Sequence, residues 1–229
     1  MLHTDREYEA ELARLRQQIL LMGAKVEGSL ELMTKALRQM DRSQAERVIA
    51  ADEEIDQLEL EIDEFCLKIL ARRQPVASDL RFITSTFRLV TDLERTADIA
   101  VNVAERIVEL AAHGGEVEVG RNLVYMAELA QLQLHDALDS FVSGDVRRAE
   151  VVTERDSVVD SLYAQLFPEL IAWMIRDPKA VEVTTRLQSI GKCLERIADH
   201  ATNIAEVVIF MVQGKDIRHH SHATSLKVL

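Results

Sequence analysis

One phrase of about four helical turns occurs twice in this chain. The first copy runs Leu93-Glu94-Arg95-Thr96-Ala97-Asp98-Ile99-Ala100-Val101-Asn102-Val103-Ala104-Glu105. The second runs Leu194-Glu195-Arg196-Ile197-Ala198-Asp199-His200-Ala201-Thr202-Asn203-Ile204-Ala205-Glu206. Equivalent residues are separated by 101 positions throughout. A period of that size exceeds a solenoid unit and matches a small domain. The chain therefore reads as two related halves, each with the same acidic stripe.

Aromatic residues make up only 4% of the chain, and Gly and Pro number 8 and 3. The core must be aliphatic and turns must be few, which favours helices over an all-β fold. Amphipathic spacing begins at once. Leu12, Leu15, Ile19, Met22, Val26, Met33 and Leu37 recur every three, four or seven residues and predict a helix over Tyr8 to Gln39. Gly23 and Gly28 interrupt it, at about 1 kcal/mol each relative to Ala, and a close helix crossing is one explanation for them. Asp41 and Ser43 mark a turn, and Ser43 with Glu46 matches a capping box. A second helix is expected to reach Arg73 and to end at Gln74-Pro75. A third, capped by Ser78, is expected to reach Ala112. His113-Gly114-Gly115 marks the boundary between halves 1–113 and 114–229. The second half repeats the plan, with helices over Val117–Val142, from Gly144-Asp145 to Ile175 with a kink at Pro168, and from Asp177-Pro178 to Gly214. The second and fifth helices match as well. Ala45, Val48, Asp52 and Asp56 correspond to Ala149, Val152, Asp156 and Asp160 at an offset of 104. The fold class is all-α, two tandem pseudo-symmetric three-helix bundles.

On a helical wheel Glu94, Asp98, Asn102 and Glu105 fall within about 80° of one another. They lie beside the apolar set Val90, Leu93, Ala97, Ala100 and Ala104 rather than opposite it. Asp52, Asp56, Glu59 and Asp63 form a similar stripe on the second helix. If the two helices pack antiparallel, the stripes converge at the bundle edge. Clustered carboxylates repel, and a cation relieves them. Oxygen-only ligands suit magnesium, manganese, calcium or iron. The metal candidates are Asp52, Asp56, Glu94, Asp98 and Asn102 in the first half, and Asp156, Asp160, Glu195, Asp199 and Asn203 in the second. The blander alternatives are a solvated acidic face, neutralised by Arg95 and Arg196, or a face that docks a partner.

Other functions find less support. A net charge of −12 argues against nucleic-acid binding, direct adsorption to anionic lipid and free phosphate as a ligand. No apolar run approaches the ~20 residues that span a bilayer. Cys66 and Cys193 form no CxxC and read as buried thiols of a reduced cytoplasmic protein. Catalytic residues are none. No Glu precedes a His by three residues, as a di-iron enzyme would need, and Walker, GxSxG and HExxH motifs are absent. His200 reads as a surface or flanking residue, and His219, His220 and His222 as part of a frayed tail.

The two phrases LERTADIAVNVAE and LERIADHATNIAE, with QPVASDLR at Gln74 to Arg81, closely resemble the PhoU family of phosphate-signalling regulators. The resemblance spans essentially the whole chain. It implies two three-helix bundles with metal, iron or zinc among the examples, held at E/D-xxx-D motifs. It also implies a negative regulator of the phosphate regulon, an adaptor between the ATPase subunit of a phosphate ABC transporter and a sensor histidine kinase. Such a protein is expected to be a cytoplasmic homodimer, peripheral to the inner membrane only through its partners. The chain departs from the pattern where Asp177-Pro178 replaces Gln74-Pro75 and Glu182 to Thr184 fails to reproduce Asp79-Leu80-Arg81. The rivals are a carboxylate-bound metal-dependent enzyme, such as a phosphatase or oxidase, and a plain helical scaffold.

Overall fold

The computed structural model describes residues 2–113 and 119–215, with side chains from residue 6 onward. The described chain is six long helices with no strand. They are α1 (Leu2–Gln39), α2 (Arg42–Arg73), α3 (Ala77–Ala112), α4 (Arg121–Ser143), α5 (Val146–Arg176) and α6 (Val181–Gln213), with a short 3-10 turn at Pro178–Ala180. Gly114, Gly115, Val117 and the tail histidines lie outside the described residues.

The apolar spacings bury as expected. All seven seam residues of α1 are buried, Leu15, Ile19, Met22, Val26 and Leu37 completely. Helices α3 and α6, which carry the repeated phrase, pack most extensively against each other and sit at the centre. Leu93 and its equivalent Leu194 are both fully buried, in one hydrophobic core that runs through both halves. Of the two α1 glycines, Gly23 explains itself. A Cβ there would lie 3.1 Å from Leu138 of α4, whereas Gly28 faces open space.

Helix ends follow local chemistry. The α1–α2 and α4–α5 turns are near copies at an offset of 104. Asp41 accepts from the Gln44 amide, and Asp145 accepts from the Arg148 amide. Gly144 and Gly214 end α4 and α6 at φ of +65° and +70°, the left-handed cap that glycine adopts at no steric cost. Two expected caps are corrected. Asp41, not Ser43, caps α2, because Asp41 precedes the helix and its short side chain reaches the free amides. Helix α3 starts at Ala77 after an extended Val76, and Ser78 already lies inside it.

Helix α5 stays helical through Pro168. By length and composition it is the one described helix that could cross a membrane, with a mean hydropathy of 1.2 over eighteen residues. That qualifies the expectation drawn from uninterrupted runs, since Gln165 and Glu169 break the run and the average still stays at that level.

Candidate metal centres

Helices α2 and α3 pack side by side, as do α5 and α6. Because the acids flank the buried seams, each packing brings two stripes together. In the first half Asp52, Asp56 and Asp98 each place a carboxylate oxygen within 4.8 Å of the others. In the second half Asp160, Glu195 and Asp199 do the same. Two positions recur in both trios, Asp56/Asp160 and Asp98/Asp199. The third member differs: Asp52 completes the first trio and Glu195 the second.

The remaining candidates stand close by. Glu94, 16% exposed, borders the first trio with Arg95 3.5 Å away. Asp156 borders the second and feels Asp160 and Glu195. The two asparagines turn aside. Asn102 donates its amide to the Asp98 carbonyl of its own helix at 2.7 Å. Asn203 donates across the α3–α6 seam to Asp92 at 3.3 Å.

The electrostatics carry the mark of crowded acids. Burial pushes Asp52 up to about 6, with Asp56 and Asp98 adding to the effect. Glu94 rises to about 7, through burial first and then Asp98, while Arg95 pulls it down. Asp199 keeps solvent access, yet desolvation within the cluster, Glu195, Asp156 and Asp160 together raise it to about 6 against Lys192. Glu59, Asp63, Asp156 and Asp160 are raised too, each chiefly by burial. Carboxyls held this way are poised to exchange protons for a cation.

One detail tests whether a cation fits. Oδ1 of Asp52 is buried and accepts no hydrogen bond, and Oδ1 of Asp156 is equally buried, with the Thr202 hydroxyl as the one donor near that carboxylate. They occupy equivalent positions in the two halves. A buried acceptor without a donor costs about 1–3 kcal/mol, and a bound cation would remove that cost. The donor set of oxygens alone suits a hard or borderline ion, with manganese, magnesium and iron better matched than a thiolate-seeking one. Zinc is compatible through carboxylates. Neither cysteine joins in: Cys66 is buried, and its burial pushes the thiol up to about 12.

Two further contacts lie outside the candidate sets, one at the second cluster and one at the α3–α6 seam. Lys192 pairs with Glu195 at 2.5 Å and lies over the Tyr163 ring at 5.6 Å. The Lys192–Glu195 spacing of three on one helix was a readable signal for this pair. His200, expected at the surface or flank, is instead half-buried and bonds Asp92 at 2.8 Å across the seam between halves. Asp92 and His200 are 108 positions apart, so neither the repeat nor a helical period connects them.

An all-helical chain of two related halves, each holding a carboxylate cluster at the same helix pair, is a narrow class. Comparison with known proteins places the chain within it. The PhoU domain matches residues 19–107 and 123–208. A "Phosphate-specific transport system accessory protein PhoU homolog" of Pseudomonas aeruginosa is 40% identical, over 95% of this chain and 90% of the relative. One of Rhizobium meliloti is 38% identical, over 93% and 90%. The crystal structure of PhoU from Pseudomonas aeruginosa superposes with a TM-score of 0.88 at 40% identity, covering 91% of this chain and all of that one. That of the phosphate transport system regulatory protein PhoU from Streptococcus pneumoniae gives 0.84 at 28% identity, covering 92% and 99%. The chain belongs to the PhoU family.

Proposed function

We propose that this protein is a non-catalytic negative regulator of phosphate uptake and of the phosphate starvation response. It works in the cytoplasm as an adaptor between the ATPase subunit of a phosphate ABC transporter and a sensor histidine kinase. The two bundles, 1–113 and 114–229, each present one carboxylate cluster, and a divalent or trivalent metal held there shapes the docking face. The observation that carries this reading is the pair of equivalent clusters in a chain whose relatives are named as accessory proteins of phosphate-specific transport. Asp52, Asp56 and Asp98 would hold one ion, with Glu94 beside them. Asp160, Glu195 and Asp199 would hold the other, with Asp156 beside them. The metal would supply positive charge and fix the relative position of two helices. An adaptor switches only if it binds two states of its partners with different affinity.

The test is complementation in the source organism. Deleting the gene should raise alkaline phosphatase output in phosphate-rich medium, and the native chain should silence it. A folded Glu94→Gln, Asp98→Asn, Glu195→Gln, Asp199→Asn variant should fail to do so and should lose metal by elemental analysis. Silencing by that variant would reduce the clusters to surface. Unchanged phosphatase output on deletion would end the regulatory reading. Phosphoester turnover by manganese-loaded protein, lost in the same variant, would favour the enzyme instead.

A further inference from the structure

The motif QPVASDLR ends in a place unrelated to the acid clusters. Its Ser78, Asp79 and Arg81, at the start of α3, line a cleft of about 560 Å³ where α1, α3, α4 and α6 meet. The cleft therefore belongs to both halves. The second half has no copy of Asp79-Leu80-Arg81.

Two properties set this cleft apart. The first is its charge. Arg16 and Arg81 both line it, and among the described residues neither guanidinium has an ion-pair partner. Nε of Arg81 is buried and donates to nothing. A charged donor in that state lacks an acceptor that the fold does not provide. Asp79, the acid in the cleft, is already engaged by the Tyr8 hydroxyl at 3.0 Å. The guanidinium of Arg16 is held in place over the Phe82 ring at 4.7 Å. In a chain of net charge −12, this is a local reversal of sign. At physiological ionic strength charges are screened beyond about 8 Å, so a docked group feels the arginines rather than the molecule's total.

The second property is an apolar wall. Phe82 and Phe141 stack with centroids 6.3 Å apart. Leu20, Val142 and Val212 line the same cleft with 40%, 60% and 43% of their surface exposed. A free oxyanion would use the arginines and leave this wall wet. An apolar side chain flanked by a carboxylate would use both.

We propose that the cleft docks a short acidic segment of a partner polypeptide. One apolar side chain of the partner sits against Leu20, Val142 and Val212, over the buried Phe82–Phe141 pair, and its carboxylates pair with Arg16 and Arg81. Bidentate Arg–carboxylate pairing gives such a contact direction as well as strength. The docking site is separate from the acidic clusters and does not depend on metal.

The experiment is selection of a displayed library of random linear peptides on the full-length protein, followed by fluorescence anisotropy of the selected peptide. Expected are sequences with Asp or Glu beside Phe, Leu or Met. Their affinity should fall at least about tenfold in Arg16→Gln or Arg81→Gln, as loss of a charge-assisted hydrogen bond implies. Val142→Asp, a change at an exposed position, should weaken binding similarly by repulsion. The quadruple cluster variant should bind as the native chain does, which separates this proposal from the metal reading. Circular dichroism melts establish that each variant folds. Acid-free selected sequences, or affinity indifferent to both arginine changes, would overturn the proposal. So would saturable binding of inorganic phosphate, lost in Arg81→Gln, with no peptide selected; the cleft would then be an oxyanion site. A native dimer that becomes monomeric in Arg81→Gln would reassign the cleft to a second copy of the chain.

Discussion

The two carboxylate clusters grow from one repeated sequence but are not the same site. In the first half the α2 stripe continues through Glu59 and Asp63. At the corresponding positions of α5 stand Tyr163 and Phe167. In the first half the nearest cation, Arg95, lies 3.5 Å from both Glu94 and Asp98 and is 56% exposed. In the second, Lys192 forms an ion pair with Glu195 at 2.5 Å, where the first half has only Thr91 at the equivalent position. The first cluster is an accumulation of acids with a loose counter-charge, and the second is an acid cluster partly neutralised from within. Duplication has kept the helix pair and the two central acids, and the surrounding positions have set different demands for a cation.

The widest test of the comparison is whether the halves are separate bodies at all. Leu93→Ala and Leu194→Ala remove equivalent, fully buried side chains. Each should cost about 2–5 kcal/mol. Because both belong to one continuous core, calorimetry should show a single transition in each variant. Two resolved transitions, with only one displaced, would mean that the halves melt independently.

Acidity gives the next largest effect. Asp52 and Glu94 are raised in the folded state to about 6 and about 7, so the folded protein binds more protons than the unfolded chain between roughly pH 4 and these values. Stability of the metal-free protein must therefore fall as pH rises across that window, since it follows the difference in bound protons. One pKa unit corresponds to about 1.4 kcal/mol, so Glu94 alone should account for a loss on the order of 2–3 kcal/mol by pH 8. Urea titrations of metal-free protein at pH 5 and pH 8 read this directly. Glu94→Gln should flatten the dependence and saturating manganese should offset it. An unchanged slope in Glu94→Gln would mean that the strain lies elsewhere.

Much of this was legible in the chain. The α1 seam, the stop at Gln74-Pro75 and the C-terminus of α6 at Gly214 follow from spacing and backbone chemistry that act within a few residues. The convergence of the α2 and α3 stripes also followed, because acids beside an apolar face must meet wherever that face is buried. What sequence could not supply was rotation. Whether Asp52 or Glu94 completes the first trio depends on a few tens of degrees about the helix axis, set by how α2 and α3 interlock. The capping box at Ser43 was a pattern match outcompeted by Asp41, already placed in the turn. The Asp92–His200 contact needs the packing of α3 on α6, which no local signal encodes.

Lys192 offers the sharpest exchange between the sites. If it competes with a cation at the second cluster, Lys192→Thr should tighten manganese binding there by about tenfold, equivalent to ~1.4 kcal/mol. Thr91→Lys, at an exposed position, should weaken the first cluster by a similar factor. Calorimetric titration of Asp98→Asn and Asp199→Asn backgrounds assigns each affinity to its half. The double exchange should reverse the order of the two sites. An order indifferent to both changes would place the difference in Glu59 and Asp63 instead.

The smallest effect concerns the seam, where the halves differ most in chemistry. Asp92 and His200 pair at 2.8 Å, each with less than a fifth of its side chain exposed. The positions equivalent to them by the repeat are Cys193 and Ile99, both packed among apolar neighbours. One junction is thus polar on one side of the pseudo-symmetry axis and apolar on the other. Removing one partner strands the other in a partly dry site, so Asp92→Asn or His200→Ala should each cost about 1 kcal/mol. For a chain of this size that lowers the melting temperature by about 2–4 °C. Replacing both partners by the residues of the other half, Asp92→Cys with His200→Ile, strands neither of them and leaves the exposed Asn203 amide to water. It should therefore restore most of the loss, since replacing both members of a buried polar pair by apolar groups is often close to neutral. If the double variant instead loses the sum of the singles, the pair acts as two independent contacts, and the polar seam is structural in its own right rather than interchangeable with its apolar counterpart.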